Sequence, residues 1–236
     1  MEDQIILIDK PAGISSFGVV AKIRGKLKAE FGHKVKVGHT GTLDPFATGL
    51  LILLSGKMTK KSNEFLKLDK VYEATMKLGY VSSTGDPEGE ILIYPNSVAF
   101  RGHDREAGRE PRNDGRERPV PEWGILKSTV KTFVGKNIQT PPRFSAIKIN
   151  GQRAYKLARK GQDFEIPSRT VEIYSIEILR YNYPELKIRV HCSSGTYIRT
   201  LAEDIGKALD TGAYLTTLRR LKIGDYDIKD ATKLVL

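Results

Sequence analysis

The stretch from Gly38 to Gly56 places a carboxylate in a glycine-rich loop. It reads GHTGTLDPFATGLLILLSG, and its first glycines permit backbone angles and close approaches that other residues resist. Asp44 precedes Pro45, a pair typical of a helix N-cap followed by the first helical residue. The alternative is a carboxylate held at a loop–helix junction to act as a nucleophile or base. The residue pattern alone favours the cap, and it likewise favours His39 as a loop residue that forms hydrogen bonds.

A second stretch, HCSSGTYIRTLAEDIG from His191 to Gly206, runs from a strand through a turn into a helix. Thr196 is predicted to cap that helix. Arg199 then lies in the first turn, where the positive end of the helix disfavours a cation by about 0.3–1 kcal/mol. Such an arginine either points to water or pairs with a carboxylate or phosphate. Tyr197 and Arg199 flank opposite sides of the apolar stripe, so neither is predicted to be a core residue.

Several kinds of site have no support in the sequence. The chain lacks a G-x-x-x-x-G-K-[ST] phosphate loop, a G-x-G-x-x-G fingerprint and a G-x-S-x-G elbow. Its four histidines are scattered and Cys192 is the single cysteine, so no zinc-binding spacing exists. The sequence therefore predicts no cofactor and no metal. Carboxylates, hydroxyls, aromatic rings and cations remain for the chemistry.

Strands and helices that would position these residues are visible as apolar periodicities. Alternation typical of half-buried strands covers residues 71–78, 169–181 and 186–193, and it places Tyr72 on the apolar face. Helical spacing covers residues 18–31, 48–54, 154–160 and 198–209. A chain with both kinds of element is predicted to form a mixed α/β or α+β sheet domain. Residues 101–118 have one alanine as their only apolar side chain, and the stretch 96–121 around them is predicted to be an exposed, mobile insertion.

Net charge is the unusual feature of the composition. The chain of 236 residues has 39 Lys and Arg against 28 Asp and Glu, a net charge of +11. The excess lies in residues 1–80 and 122–236, and it favours a polyanionic partner such as nucleic acid. The longest apolar run, Leu50 to Leu54, is far too short to span a membrane. With no secretory signal and one cysteine, the protein is expected in the reducing cytoplasm.

Taken together, the two stretches resemble the signature motifs of the TruB family of tRNA pseudouridine-55 synthases. Further segments agree in family order: DKPAGISS, KVYEA, QTPPRFSAIK with GQRAYKLAR, and YLTTLRR. The resemblance covers nearly the whole chain outside residues 96–121. It implies an α+β pseudouridine synthase fold, with a mixed, mostly antiparallel sheet flanked by helices. It also implies one catalytic domain over residues 1–236 without the C-terminal PUA domain that many members have.

The activity that the resemblance implies is isomerisation of uridine 55 in the T loop of tRNA to pseudouridine. Asp44 matches the family's catalytic aspartate, which reverses the preference for a cap. The resemblance implies substrate-binding roles in the same way: Tyr72 stacks on the target base, Arg199 pairs with the aspartate, and Leu218 is an apolar wall for the base. Tyr197 belongs to the same motif as Arg199, and His39 matches the histidine that occupies the space left when the RNA loop is opened. The segment from Gln139 to Gly161 resembles a flexible element that closes over the T loop.

The partner implied is therefore the T arm of tRNA, and the protein is expected to act as a monomer without a membrane. Two alternatives remain from the sequence. One is a relative that depends on a guide RNA inside a ribonucleoprotein, although the match through residues 139–161 looks bacterial. The other is a non-catalytic protein that binds tRNA or helps it fold, although the four matched residues Asp44, Tyr72, Tyr197 and Arg199 favour catalysis.

Overall fold

A computed structural model describes residues 2–94, 120–149 and 151–234 of the chain. The helices are α1 (Ser16–Phe31), α2 (Ser62–Lys67), α3 (Trp123–Thr132), α4 (Ala154–Arg159) and α5 (Ile198–Ala208). The strands are β1 (Ile5–Lys10), β2 (Val37–His39), β3 (Thr48–Ser55), β4 (Lys70–Leu78), β5 (Tyr80–Ser82), β6 (Ile91–Ile93), β7 (Gly135–Gln139), β8 (Lys148–Ile149), β9 (Gln152–Arg153), β10 (Arg169–Asn182), β11 (Glu185–Cys192), β12 (Ala213–Ile223), β13 (Tyr226–Asp227) and β14 (Thr232–Lys233). Short 3-10 turns cover Gly56–Lys61 and Ile228–Asp230. The insertion predicted at residues 96–121 lies outside the described residues except for its last two.

One mixed sheet dominates the described part of the chain. Its strand order is β14-β1-β3-β12-β4-β11-β10-β7, with β2 added to β3 and β13 to β12. Only the pairs β1–β14 and β3–β12 are parallel, and the remaining pairs of this sheet are antiparallel. Apolar residues of α1, α3 and α5 are buried in a single core cluster with residues of the central strands. This arrangement confirms the predicted α+β class with a mostly antiparallel sheet.

The three predicted strands and three of the four predicted helices are confirmed, but the helix predicted over residues 48–54 is wrong. These residues form β3. Leu51 and Leu53 lie in the main core, whereas Leu50, Ile52 and Leu54 lie in a second cluster with Phe65. A strand that is buried on both faces has no apolar–polar alternation, so periodicity cannot distinguish it from a buried helix.

The first helix has ends that its sequence explains. The Ser15 hydroxyl accepts a hydrogen bond from the Gly18 amide at 3.0 Å and caps α1, which ends at Gly32 with a φ of 75°.

Helix α5 packs on β12 and β4, the strands at the centre of the sheet. The start of α5 is thereby fixed beside these two strands. Within the described residues, no helix is both long and apolar enough to cross a membrane.

Gly49 of β3 pairs with Arg220 of β12 where these two strands run parallel. Its φ is +104°, and a Cβ atom built on it would lie 2.7 Å from the backbone nitrogen of Arg220. We expect Gly49→Ala to lower the free energy of unfolding by about 3 kcal/mol or more, because the backbone angle and the contact both oppose a side chain. Thermal and denaturant unfolding would measure the loss.

Gly25 provides the matched control for that substitution. It lies inside α1, and a Cβ atom there would have nothing within 4 Å. Gly25→Ala is expected to raise stability by about 0.5–1 kcal/mol through helix propensity. Equal unfolding free energies for the two alanine variants would contradict the role given to Gly49.

Candidate functional site

An open cleft of about 280 Å³ lies where the loop before β3 meets the centre of the sheet and the start of α5. Five of the six residues predicted from the sequence line it: Asp44, Tyr72, Tyr197, Arg199 and Leu218. They come from four separate parts of the chain, and the sheet order brings them together because β12 lies beside both β3 and β4. The cleft approaches the size of typical small-molecule sites, which are roughly 300 Å³ or more.

Asp44 lies in the loop between β2 and β3 and not at a helix N-cap, so the cap expectation is wrong. Its carbonyl accepts a hydrogen bond from the Ala47 amide at 3.1 Å, and the chain then enters β3. Pro45 therefore begins a turn, because the residues that follow are drawn into a strand buried on both faces. The Asp44 side chain is 32% exposed and faces the cleft.

Buried cations hold the backbone of this loop from two sides. The Lys10 ammonium, at the end of β1, donates to the carbonyls of Pro11, Ile14 and Pro45 at 2.9, 2.8 and 3.2 Å. From β12, the Arg220 guanidinium donates to the carbonyl of Gly41 at 3.1 Å. Because both side chains are fully or almost fully buried, these bonds fix the loop strongly.

The loop is also tied to the start of α1 by one hydroxyl. Ser16 donates from its Oγ to the carbonyl of Leu43 at 2.9 Å and accepts from the Leu43 amide at 2.8 Å. Ser16 is 2% exposed. The residue before Asp44 is therefore held at both of its backbone polar groups, and the direction of the Asp44 side chain is restricted.

Arg199 is the cationic partner of Asp44. Its Nε lies 3.2 Å from the Asp44 carboxylate, and only 4% of the arginine side chain is exposed. The guanidinium also donates to the carbonyls of Thr84 and Phe144 at 2.9 and 2.8 Å. These partners lie outside α5 and compensate for the unfavourable position of a cation in its first turn. The side chain is buried, although the sequence did not predict Arg199 to be a core residue.

Asp86 completes the environment of that arginine from behind. Its Oδ2 lies 3.0 Å from Arg199 Nη1, and both side chains are 4% exposed. Its other oxygen accepts hydrogen bonds from the Thr84 hydroxyl at 2.6 Å and the Glu88 amide at 3.0 Å. With its carboxylate fully used, Asp86 fixes the guanidinium so that Nε points at Asp44.

The electrostatics of the cleft follow from the removal of water. Burial raises the pKa of Asp44 above the usual carboxyl value, and the neighbouring cation Arg199 opposes that rise most strongly. Burial also raises the pKa of the Tyr72 phenol. It lowers the pKa of Lys10 to about 8, although the charge of Asp44 acts in the opposite direction.

Tyr72 and Leu218 form the sheet side of the cleft. Tyr72 lies on the central strand β4, opposite Arg220 of β12, and is 9% exposed. Leu218 is on β12 and is 7% exposed. The confirmed alternation of β4 therefore places an aromatic ring, and not an aliphatic residue, on the floor of the cleft.

Tyr197 directly precedes α5 and is its N-cap residue, so the prediction that Thr196 caps this helix is wrong. The Thr196 hydroxyl donates instead to the carbonyl of Ser193 at 2.9 Å. The Gln139 side-chain amide replaces the cap: it accepts from the Tyr197 amide at 3.0 Å and donates to the Tyr197 carbonyl at 3.3 Å. The guanidinium of Arg169 covers the Tyr197 ring at 4.7 Å.

His39 is the predicted site residue that does not line the cleft. It ends β2, and its Nδ1 accepts a hydrogen bond from the Gly41 amide at 3.4 Å. Burial lowers the pKa of its ring, and Arg220 adds to this effect. His39 is therefore a neutral, half-buried residue at the base of the Asp44 loop.

Residue-by-residue reasoning missed three charged groups of the site: Lys10, Asp86 and Arg220. A signal for the two cations was available. Lys10 follows Ile8 on the inward face of β1, and Arg220 follows Leu218 on the inward face of β12. A cation at a buried position of an alternating strand requires dedicated partners, because an unpaired buried charge is unstable.

Comparison with known proteins gives the chain a family. The family model described as TruB family pseudouridylate synthase, N-terminal domain, matches residues 28–107 and 107–198. The model described as tRNA pseudouridylate synthase B, C-terminal domain, matches residues 199–235.

Similar curated proteins agree with this match. The tRNA pseudouridine synthase B of Phocaeicola vulgatus is 43% identical over 231 residues, covering 97% of this chain and 89% of that protein. The protein of the same name from Flavobacterium johnsoniae is 44% identical over 238 residues, covering 100% of this chain and 95% of the relative.

Solved structures with the same fold come from larger chains. A chain of a Cbf5-Nop10-Gar1 complex has a TM-score of 0.64 and 28% identity, and the match covers 99% of this chain and 52% of that one. A chain of an H/ACA RNP bound to a substrate RNA containing 2'-deoxyuridine has a TM-score of 0.62 and 26% identity, with 98% and 51% covered. This chain thus spans about half the length of those solved chains.

Proposed function

Because the chain belongs to the TruB family of pseudouridylate synthases, we propose that it converts uridine 55 in the T loop of tRNA to pseudouridine. Relatives that it matches over nearly their whole length are named tRNA pseudouridine synthase B, which supports tRNA as the substrate class. The observation that carries the proposal is the Asp44 carboxylate, held by Arg199 in a cleft with an aromatic floor.

Asp44 is proposed as the catalytic carboxylate. It acts at the ribose of the bound uridine, either by attacking C1′ or by removing the C2′ proton to give a glycal. The N1–C1′ bond breaks, the detached base turns, and C5 bonds to C1′. On the first route the Asp44–C1′ bond breaks as the C5–C1′ bond forms, and on the second route Asp44 returns the proton to C2′. The C5 hydrogen is lost as a proton and N1 gains one, so the reaction is an isomerisation without oxidation. The ionised Asp44 that either route needs is favoured by Arg199.

The uridine must leave its stack before it can enter the cleft, which costs a few kcal/mol, about 2 or more. Tyr72 is proposed to stack on the extruded base, with Leu218 as an apolar wall and Tyr197 at the cleft opening. A ring that replaces the lost base stacking offsets part of the cost of extrusion. His39 lies at the base of the Asp44 loop and is proposed to occupy the space that opens in the RNA loop when the uridine leaves it.

Location, oligomeric state and cofactor use are proposed as the sequence predicts them. The protein is proposed to act in the cytoplasm as a monomer, with residues 1–236 as its catalytic domain and with no cofactor and no metal. Residues 139–161 contain β8, β9 and α4 and several cations, including Arg143 and Arg153. They are proposed to close over the T arm, since cations at this rim would meet RNA phosphates.

Release of tritium from C5-labelled tRNA tests the proposal directly. The purified protein alone, without any guide RNA, is expected to release one tritium per tRNA, because bond formation at C5 expels that hydrogen. A transcript with cytidine at position 55 is expected to release none from that position. RNA binding without release would favour the non-catalytic alternative, and release only after addition of a guide RNA would favour the ribonucleoprotein alternative.

The pH dependence of this reaction is expected to report the environment of Asp44. Burial raises the pKa of this carboxyl, and only the ionised form reacts, so the single-turnover rate should fall as the pH is lowered through a value above the usual Asp pKa of about 3.9. Lys10→Met removes a nearby cation that favours the ionised form, so its acid limb should move to higher pH. Single-turnover assays between pH 4 and 8 would measure the acid limb of the wild type and that of Lys10→Met.

Circular dichroism and RNA affinity at each pH provide the controls for that profile. They separate the titration of Asp44 from unfolding and from loss of substrate. A rate that stays constant down to pH 4, with folded protein and bound RNA, would exclude a carboxyl whose pKa is raised as the reacting group.

A further inference from the structure

Two buried side-chain polar atoms in the described ranges have no hydrogen-bond partner within the protein: Ser145 Oγ and Arg169 Nε. Both residues line the cleft that contains Asp44. Buried polar groups in folded proteins are nearly always paired, so each exception needs an explanation. That both exceptions line the same cleft points to a partner that occupies the cleft.

The position of Ser145 is fixed by its backbone and not by its hydroxyl. The carbonyl of the preceding Phe144 accepts a hydrogen bond from Arg199 at 2.8 Å, and the Ser145 carbonyl accepts one from the Tyr155 amide at 3.1 Å. Ser145 is only 4% exposed. Its hydroxyl therefore lies at the cleft wall near Arg199, the ion-pair partner of Asp44. The backbone hydrogen bonds hold Ser145 in place, and the hydroxyl forms none with the described residues.

We propose that the Ser145 hydroxyl hydrogen bonds to the uridine that enters this cleft, and that the Arg169 Nε–H is a second donor to the same nucleotide. This inference rests on the proposed function. Uracil offers two carbonyl acceptors and one N–H donor, and a hydroxyl can pair with either kind of group. The neutral, buried Ser145 suits the base, whereas Arg169 carries a charge and suits the phosphate.

Arg169 is placed for that second contact by its ring partner. Its guanidinium lies over the Tyr197 ring, 4.7 Å from the ring centroid, and it also donates to the carbonyl of Gly195. These contacts orient the plane of the guanidinium while leaving its Nε–H free. A pre-oriented donor loses little conformational entropy when its acceptor binds.

Ser145→Ala tests the inference because it removes one atom that has no partner among the described residues. The expected result is a fall of about tenfold in kcat/KM for tritium release from tRNA, as for the loss of one hydrogen bond to a bound substrate. The melting temperature of the free protein should not fall, because no internal hydrogen bond is lost. Ser128→Ala, at an exposed position of α3, is the matched control and should retain the wild-type kcat/KM and a similar melting temperature.

The outcomes separate this inference from the function on which it rests. Wild-type activity with an unchanged kcat/KM in Ser145→Ala would overturn the inference and leave the proposed function standing. A lower melting temperature with unchanged kcat/KM would assign Ser145 a structural role and overturn it as well. Wild-type protein that releases no tritium would overturn the proposed function, and this inference with it.

Discussion

Asp44→Asn is expected to abolish tritium release, lowering the single-turnover rate by about four orders of magnitude or more. Asparagine has the shape of aspartate, but its amide can neither attack C1′ effectively nor remove a proton from C2′. The loop itself should persist, because Lys10, Ser16 and Arg220 hold it through backbone groups and not through the Asp44 side chain.

Affinity for tRNA provides the second measurement on that variant. It should stay close to that of the wild type, since most binding energy comes from phosphate contacts. Asp230→Asn changes an exposed carboxylate in the 3-10 turn Ile228–Asp230 and serves as the control, with full activity expected. Release at the wild-type rate by Asp44→Asn would rule out Asp44 as the catalytic carboxylate.

Arg199→Gln is expected to damage both stability and catalysis. It leaves the buried Asp86 carboxylate without its cation, and loss of one partner of a buried ion pair costs about 3–5 kcal/mol. It also removes the group that favours the ionised form of Asp44, so the rate should fall at least about 100-fold. Denaturant unfolding and tritium release measure the two effects on the same preparation.

The double variant Arg199→Gln, Asp86→Asn separates those two effects. Neutralising Asp86 removes the unpaired buried charge, so the double variant should be more stable than Arg199→Gln alone. Its activity should not recover, because Asp44 still lacks its cation. If the second substitution instead adds a further loss of stability, then Asp86 contributes by contacts other than its pair with Arg199.

The half-buried strands were predictable from the sequence because one face of each contacts the core. Strand β4 alternates buried and half-buried residues along its whole length, and this pattern placed Tyr72 correctly. Strand β3 was predicted as a helix because both of its faces are covered. The second cover comes from Phe65 and Ile223, which both lie outside β3, so no pattern within residues 48–54 contains it.

The charged site was predictable only in part, for a related reason. Motif resemblance identified Asp44 and Arg199, whereas the spacing of the residues gave Asp44 as a cap and left Arg199 unassigned. The buried residues Asp86 and Arg220 are not close to Asp44 in the chain. Asp86 acts on it through Arg199, and Arg220 holds the carbonyl of Gly41 in its loop, so only the assembled fold brings these groups together. The alternation of β12 predicts that Arg220 is buried, but it does not predict which carbonyls accept its hydrogen bonds.

The strand order has a consequence for synthesis of the protein on the ribosome. Strand β12, residues 213–223, lies between β3 and β4, which are made more than 130 residues earlier. Until β12 emerges, the strand edges that it will join remain unpaired, and such edges are sites of aggregation. Arg220 also arrives with that strand, so the Asp44 loop gains this clamp only after β12 is made. The nascent chain therefore cannot carry the complete site before β12 emerges.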